Sequence, residues 1–152
     1  MRKREKDDNG FKVSLASVEC KSFYNYLKEE AEVPSPETLQ VARSQTIFVY
    51  GEDELEVEVG LLYGGREETY SEIRVMTRFQ IVNPQKVIKV DRNTRQVLFD
   101  ESLLRIVLPV ALDTARGYCS ARLEGSPLAA FPFPIIRTDD LIKTCRIMLC
   151  DK

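Results

Sequence analysis

The chain has 152 residues, no histidine and no tryptophan, and a formal net charge of −2 from 22 basic and 24 acidic side chains. Without imidazole there is no Ser-His or Cys-His nucleophile pair and no histidine-ligated zinc, copper or haem. The near-neutral charge argues against general binding of nucleic-acid phosphates, which needs a basic face. At 43 % hydrophobic and 30 % charged, the chain has the composition of one globular domain with its own core.

The cysteines are Cys20, Cys119, Cys145 and Cys150. No two stand at C-x-x-C spacing, so neither a zinc ribbon nor a thioredoxin-type motif is expected. Residues 1–10 are charged and carry no apolar core of a signal peptide. No apolar run approaches the roughly 18 residues of a membrane span. These features predict a reduced, cytoplasmic protein that does not engage membranes.

Residues 1–10 are expected to form a mobile charged tail and residues 11–152 one domain. Phe11, Val13 and Leu15 alternate with Lys12, Ser14 and Ala16, which predicts a first strand. Ser22 is then expected to cap a short helix carrying Phe23, Tyr26 and Leu27 on one stripe, stopped by Pro34 and Pro36. Residues 39–82 read as three consecutive strands joined by short turns, hence antiparallel neighbours. In the middle one, Leu55, Val57, Val59 and Leu61 alternate with Glu54, Glu56, Glu58 and Gly60. In the last, Ile73, Val75, Phe79 and Ile81 oppose Glu72, Arg74, Arg78 and Gln80. Gly64 and Gly65 are expected to supply positive φ for the connection between these two strands.

Asp91, Arg92, Asn93 and Thr94 predict a turn between two short extended pieces. Asp100 then stands at the N-cap of an amphipathic helix. Its apolar stripe is Leu104, Val107, Leu108, Ala111, Leu112, Ala115 and Cys119, its C′ residue is Gly125, and its length is about 37 Å at 1.5 Å per residue. Pro109 inside it is expected to kink it. Three prolines, Pro127, Pro132 and Pro134, sit in an otherwise apolar connector with Leu128, Phe131, Phe133, Ile135 and Ile136, predicting an extended apolar segment. Thr138 is expected to cap a terminal helix with Asp139 and Asp140 in its first turn and Leu141, Ile142, Cys145, Met148 and Leu149 on its apolar side. The plan is α+β: a four-stranded antiparallel sheet, then a long kinked helix and a short C-terminal helix on one side.

Three features invite a functional reading. Glu54, Glu56 and Glu58 share one strand face at about 7 Å spacing, too open to hold calcium by themselves. They form either a solvated face or a docking face for a basic partner. Cys119 has no histidine to activate it and reads as a structural thiol. The clusters Phe23, Tyr24, Tyr26 and Phe131, Phe133 are either ordinary core or the lining of an exposed apolar groove fit for extended polypeptide.

Leu108-Pro109-Val110-Ala111, Ala115-Arg116-Gly117, Gly125-Ser126-Pro127-Leu128 and Phe131-Pro132-Phe133-Pro134-Ile135-Ile136, followed by Leu141, resemble the C-terminal half of SecB-type protein-export chaperones. The preceding strands fit the four-stranded antiparallel sheet of that family. The family's Asn-Phe pair after Pro-Ile is Arg137-Thr138 here, and its acidic C-terminal tail is absent. The resemblance implies an ATP-independent, cofactor-free and non-enzymatic holdase, assembled as a dimer or dimer of dimers. It implies that unfolded or pre-export polypeptides are held in apolar grooves and passed to the export ATPase SecA. By position it assigns groove roles to Phe23, Tyr24, Tyr26, Leu27, Leu128, Phe131 and Phe133, and partner docking to Glu54, Glu56 and Glu58. Two alternatives stay open: the same fold devoted to one partner, such as an antitoxin or a mobile-element protein, or a small apolar-ligand-binding protein.

Overall fold

A computed structural model describes residues 10–26, 39–51, 53–65, 68–130 and 133–150. The charged tail therefore lies outside the described residues, as do Leu27 and Phe131. Four long strands come first: β1 (Lys12–Asn25), β2 (Gln40–Tyr50), β3 (Glu54–Gly64) and β4 (Thr69–Val82). A hairpin of β5 (Ile88–Asp91) and β6 (Gln96–Phe99) leads into α1 (Glu101–Leu123), and α2 (Thr138–Thr144) and β7 (Arg146–Cys150) end the chain. The main sheet has five strands in the order β1-β4-β3-β2-β7, all neighbours antiparallel except the parallel pair β2–β7.

The period-two alternation that predicts the central strands also decides their faces. Leu55, Val57, Val59 and Leu61 of β3, Ile73, Val75, Phe79 and Ile81 of β4, and Ile47 and Val49 of β2 are buried together. Against them α1 lays Leu103, Leu104, Val107, Leu108, Ala111, Leu112, Ala115, Cys119 and Leu123. The three- and four-residue spacing of these positions puts them on one helical stripe, and that stripe closes the core. Asp100 caps the helix, its carboxylate accepting from the Ser102 hydroxyl at 2.5 Å and from the Ser102 backbone N–H at 2.9 Å. These bonds, the hydroxyl's first, hold its carboxyl below the usual carboxylate range. Beyond the C-terminus Gly125 adopts φ +82, a conformation that a Cβ would disfavour. The helix runs through Pro109 without interruption.

α2 packs on the same side of the sheet. Arg105 of α1 pairs with Asp139 at 2.6 Å and with Glu101 at 2.7 Å. From β2, the buried Gln45 amide donates to the Leu141 carbonyl at 3.0 Å and to the Thr144 hydroxyl. Leu141 fills the space beneath.

Several expectations are corrected. No helix begins at Ser22: residues Ser22 to Asn25 belong to β1, with Phe23 opposite Ile73 and Tyr24 opposite Glu72. A short stripe cannot repay helix nucleation, whereas β4 is long enough to offer hydrogen-bond partners along all of β1. The terminal helix stops at Thr144, and Met148 and Leu149 lie on β7 instead. The reason is the free edge of β2, which pairs residue by residue from Thr46↔Arg146 to Tyr50↔Cys150. The sheet is thus mixed and five-stranded rather than antiparallel and four-stranded. α2 has Arg137 at its N-cap, with no side-chain cap. The proline-rich connector is not extended throughout, since Pro127–Ala130 forms a 3-10 turn.

Gly64 and Gly65 do not take positive φ. Gly64 is needed for a different reason: a Cβ there would stand 2.9 Å from the Glu68 carbonyl oxygen.

Candidate functional site

Where the second half of α1 passes over the end of β3, the helix and the connector after it leave an open cavity of about 560 Å³. Tyr63 contributes one wall from β3. Asp113, Arg116, Cys119, Ser120 and Leu123 contribute another from α1, and Leu128, Ala129 and Phe133 close it from the connector. Tyr63 extends the buried face of β3 by one more period-two step after Leu61. Leu128 is carried inward by the 3-10 turn, whose Ser126 hydroxyl accepts from the Leu128 N–H at 3.2 Å.

Phe133 organises the mouth. Its ring meets Tyr63 edge-on, with centroids 6.5 Å apart and planes at 71°. The Arg116 guanidinium lies 5.1 Å above the same ring and pairs with Asp113 at 3.6 Å. The cation and carboxylate thus sit at the rim, above apolar walls. Two residues beyond Phe133, Ile135 is 92 % exposed.

Two groups in the cavity could in principle react, and both are held neutral at pH 7. Burial, and then the neighbouring Cys119, push the Tyr63 phenol up to about 12. Burial also raises the Cys119 thiol, against a smaller opposing effect of its hydrogen bond with Tyr63. A protonated thiol is a weak nucleophile. Among the described residues no cluster of three or more Cys, Asp or Glu is arranged to hold a metal ion.

Of the sequence-derived groove residues, Phe133 lines the mouth of this cavity half-buried, and Leu128 lies at its floor, fully buried. Phe23 lies near it on the helix side of the sheet, with Arg122 stacked 5.8 Å over its ring. Strand alternation sends Tyr24 to the other face. There Tyr24 and Tyr26 stack at 6.0 Å and 10° and stand 52 % and 58 % exposed. The aromatic cluster is therefore split between two surfaces. Tyr63, Asp113, Ser120, Leu123 and Ala129 carry no signal in the sequence, because only the packing of α1 on β3 brings them together. Arg116 stands out solely through the resemblance.

Glu54, Glu56 and Glu58 line the sheet face away from α1, as their alternation predicts. Each is matched from β4. Arg78 pairs with Glu54 at 3.1 Å and with Glu56, and Arg74 reaches Glu58 at 3.7 Å and Glu72 at 3.4 Å. Glu56 is the main reason that the Arg78 guanidinium holds its proton more tightly than usual. A basic partner docking here would compete with two arginines already in place.

Among the described residues no helix is long and apolar enough to cross a membrane. No family model matches the sequence, and neither does any curated protein.

Proposed function

We propose that the chain is a SecB-like holdase, which binds unfolded or pre-export polypeptide without nucleotide and takes client side chains at the Tyr63–Leu128–Phe133 cavity. The observation that carries this reading is the cavity itself. It is open, its mouth is formed by the half-buried Phe133 and the Asp113–Arg116 pair above the buried Tyr63, Leu123 and Leu128, and it is continuous along the chain with a connector whose Ile135 stands in solvent. The exposed apolar atoms of Phe133 and Ile135 would bind by area, at about 25 cal/mol per Å² of apolar surface covered, and need no activated group.

The arrangement of the sheet also supports the reading. β1 to β4 are antiparallel in the order β1-β4-β3-β2, so β1 and β2, consecutive among the described strands, flank β4 and β3 on opposite sides, and α1 and α2 lie on one face. In this proposal the protein assembles as a dimer or dimer of dimers, which multiplies weak client contacts by avidity, and hands clients to SecA. A dedicated antitoxin-like partner would use the same cavity. The exposed apolar residues Ile106 and Val110 on the outer face of α1 suit contact with a second copy.

Purified protein is expected to suppress aggregation of a chemically denatured client in the absence of nucleotide. Failure at several-fold molar excess, with the protein folded by circular dichroism, would contradict the holdase reading. A cavity of this size also falls in the range of small-ligand sites. That alternative predicts uptake of small aromatic probes without protection of any client.

A further inference from the structure

The two edges of the sheet are protected in different ways. β1 forms one edge, and its register against β4 shifts twice, between Leu15 and Ser17 and between Cys20 and Ser22. Bulges of this kind disrupt an edge as a template for further pairing. β2 forms the other side, and its 11 residues are regular throughout their pairing with β3. Instead of a bulge, β2 carries β7, the last described segment of the chain, over Thr46 to Tyr50 alone. Among the described residues no strand pairs with Gln40 to Gln45 on that side.

The hold on β7 is slight. It has five residues, and parallel pairing is somewhat weaker per residue than antiparallel. Ile147 and Met148 are 43 % and 53 % exposed. Leu149 packs partly against the core, and the Leu149 carbonyl accepts from Arg95 of the β5–β6 turn at 2.9 Å. The regular, 11-residue β2 is thus masked over half its length by a short strand with few anchors.

We propose that the β2 edge is a polypeptide-binding surface of its own, which takes an extended apolar segment as a parallel added strand when β7 leaves it. The chemistry of the guest is set by the segment already seated there. Apolar side chains would stand on both faces, as Ile147 and Leu149 do opposite Ile47 and Val49, and Met148 opposite Phe48. Backbone hydrogen bonds would supply affinity independent of sequence, and the alternate side chains would supply preference. For its biological guest this inference rests on the holdase reading. The strand exchange does not.

The probe is a fluorescein-labelled peptide with the sequence of residues 143–150, its cysteines replaced by serine. Tyr50 and Cys150 are register partners on adjacent strands, so Tyr50→Cys places a thiol beside Cys150 for a disulfide that locks β7 in place. Leu149→Asp removes the half-buried anchor and frees the strand. Fluorescence anisotropy is expected to show uptake by the native chain. Binding should be about tenfold tighter for L149D and at least tenfold weaker for oxidised Y50C, because apparent affinity follows the fraction of edges that are open, with dithiothreitol restoring it. Equal binding by the oxidised and reduced Y50C protein would overturn the proposal. So would absence of uptake by both the native chain and L149D, or a doubling of mass by light scattering in place of peptide uptake, which would assign the edge to a second copy. If locked protein still protects an aggregating client fully, the holdase reading stands while the edge is excluded as the client surface.

Discussion

Phe79→Ala is expected to destabilise the protein by about 3–5 kcal/mol, the range for emptying a buried aromatic site. Phe79 is the largest of the fully buried side chains. It stands between Leu15 and Leu55 in the sheet register, on the face that α1 covers. Alanine would remove most of the apolar surface at the middle of the helix–sheet contact and leave a void that β4, fixed on both sides by neighbours, cannot collapse to fill. Against a total stability of about 5–15 kcal/mol for a domain, the midpoint of urea unfolding should fall by a large fraction. A loss below about 1 kcal/mol would mean that the core does not run through this position.

The second large effect is functional. Phe133→Ala is expected to weaken binding of an unfolded client by about 30-fold, equivalent to about 2 kcal/mol of lost aromatic burial, with little change in unfolding midpoint. The ring is half-buried and belongs to a connector rather than to the sheet. Its ring contacts include Tyr63 and Arg116, both held in place by other elements. Removing it strips the mouth of the cavity without disturbing α1. Titration of a labelled, permanently unfolded client against both proteins measures the ratio. Affinity unchanged by the substitution would remove the cavity from client binding.

The contrast between these residues reflects what local sequence can carry. Phe79 is legible as core because alternation with Arg78 and Gln80 already assigns it a face, and the buried stripe of α1 is legible from its helical spacing and from Asp100 and Gly125 at its ends. Phe133 is legible as a surface candidate because an apolar residue between prolines has no regular element to bury it, whereas Leu128, which the same reasoning places in a groove, is fully buried by the 3-10 turn. The second half of β1 and all of β7 are not legible, because their structure depends on distant partners. Phe23 becomes a strand residue only when Ile73 of β4 is beside it, and Ile147 only when Ile47 of β2 is beside it. Local pattern favoured helix in both places, and long-range pairing prevailed.

The same logic separates the aromatic residues. On a helix, Phe23 and Tyr26 would share a stripe. On a strand, Phe23 faces α1 while Tyr24 and Tyr26 stack on the far side. The site partners that the sequence does not announce, Tyr63 of β3 and Arg116 of α1, meet through the packing of one element on another. The acidic face illustrates a further limit. Glu54, Glu56 and Glu58 are readily seen to share a face, but their neutralisation by Arg74 and Arg78 follows from the register of β3 against β4.

The central claim is that unfolded polypeptide lies against the cavity between α1, β3 and the connector. It is tested most directly by site-specific photo-crosslinking with the client bound. A benzophenone side chain at Ser120, on the exposed rim of the cavity, is expected to capture the client. The same group at Ser17, exposed on the opposite face of the sheet beside Arg78, is expected to capture little. Capture from Ser17 equal to that from Ser120, or none from Ser120 while the client remains bound, would contradict the account.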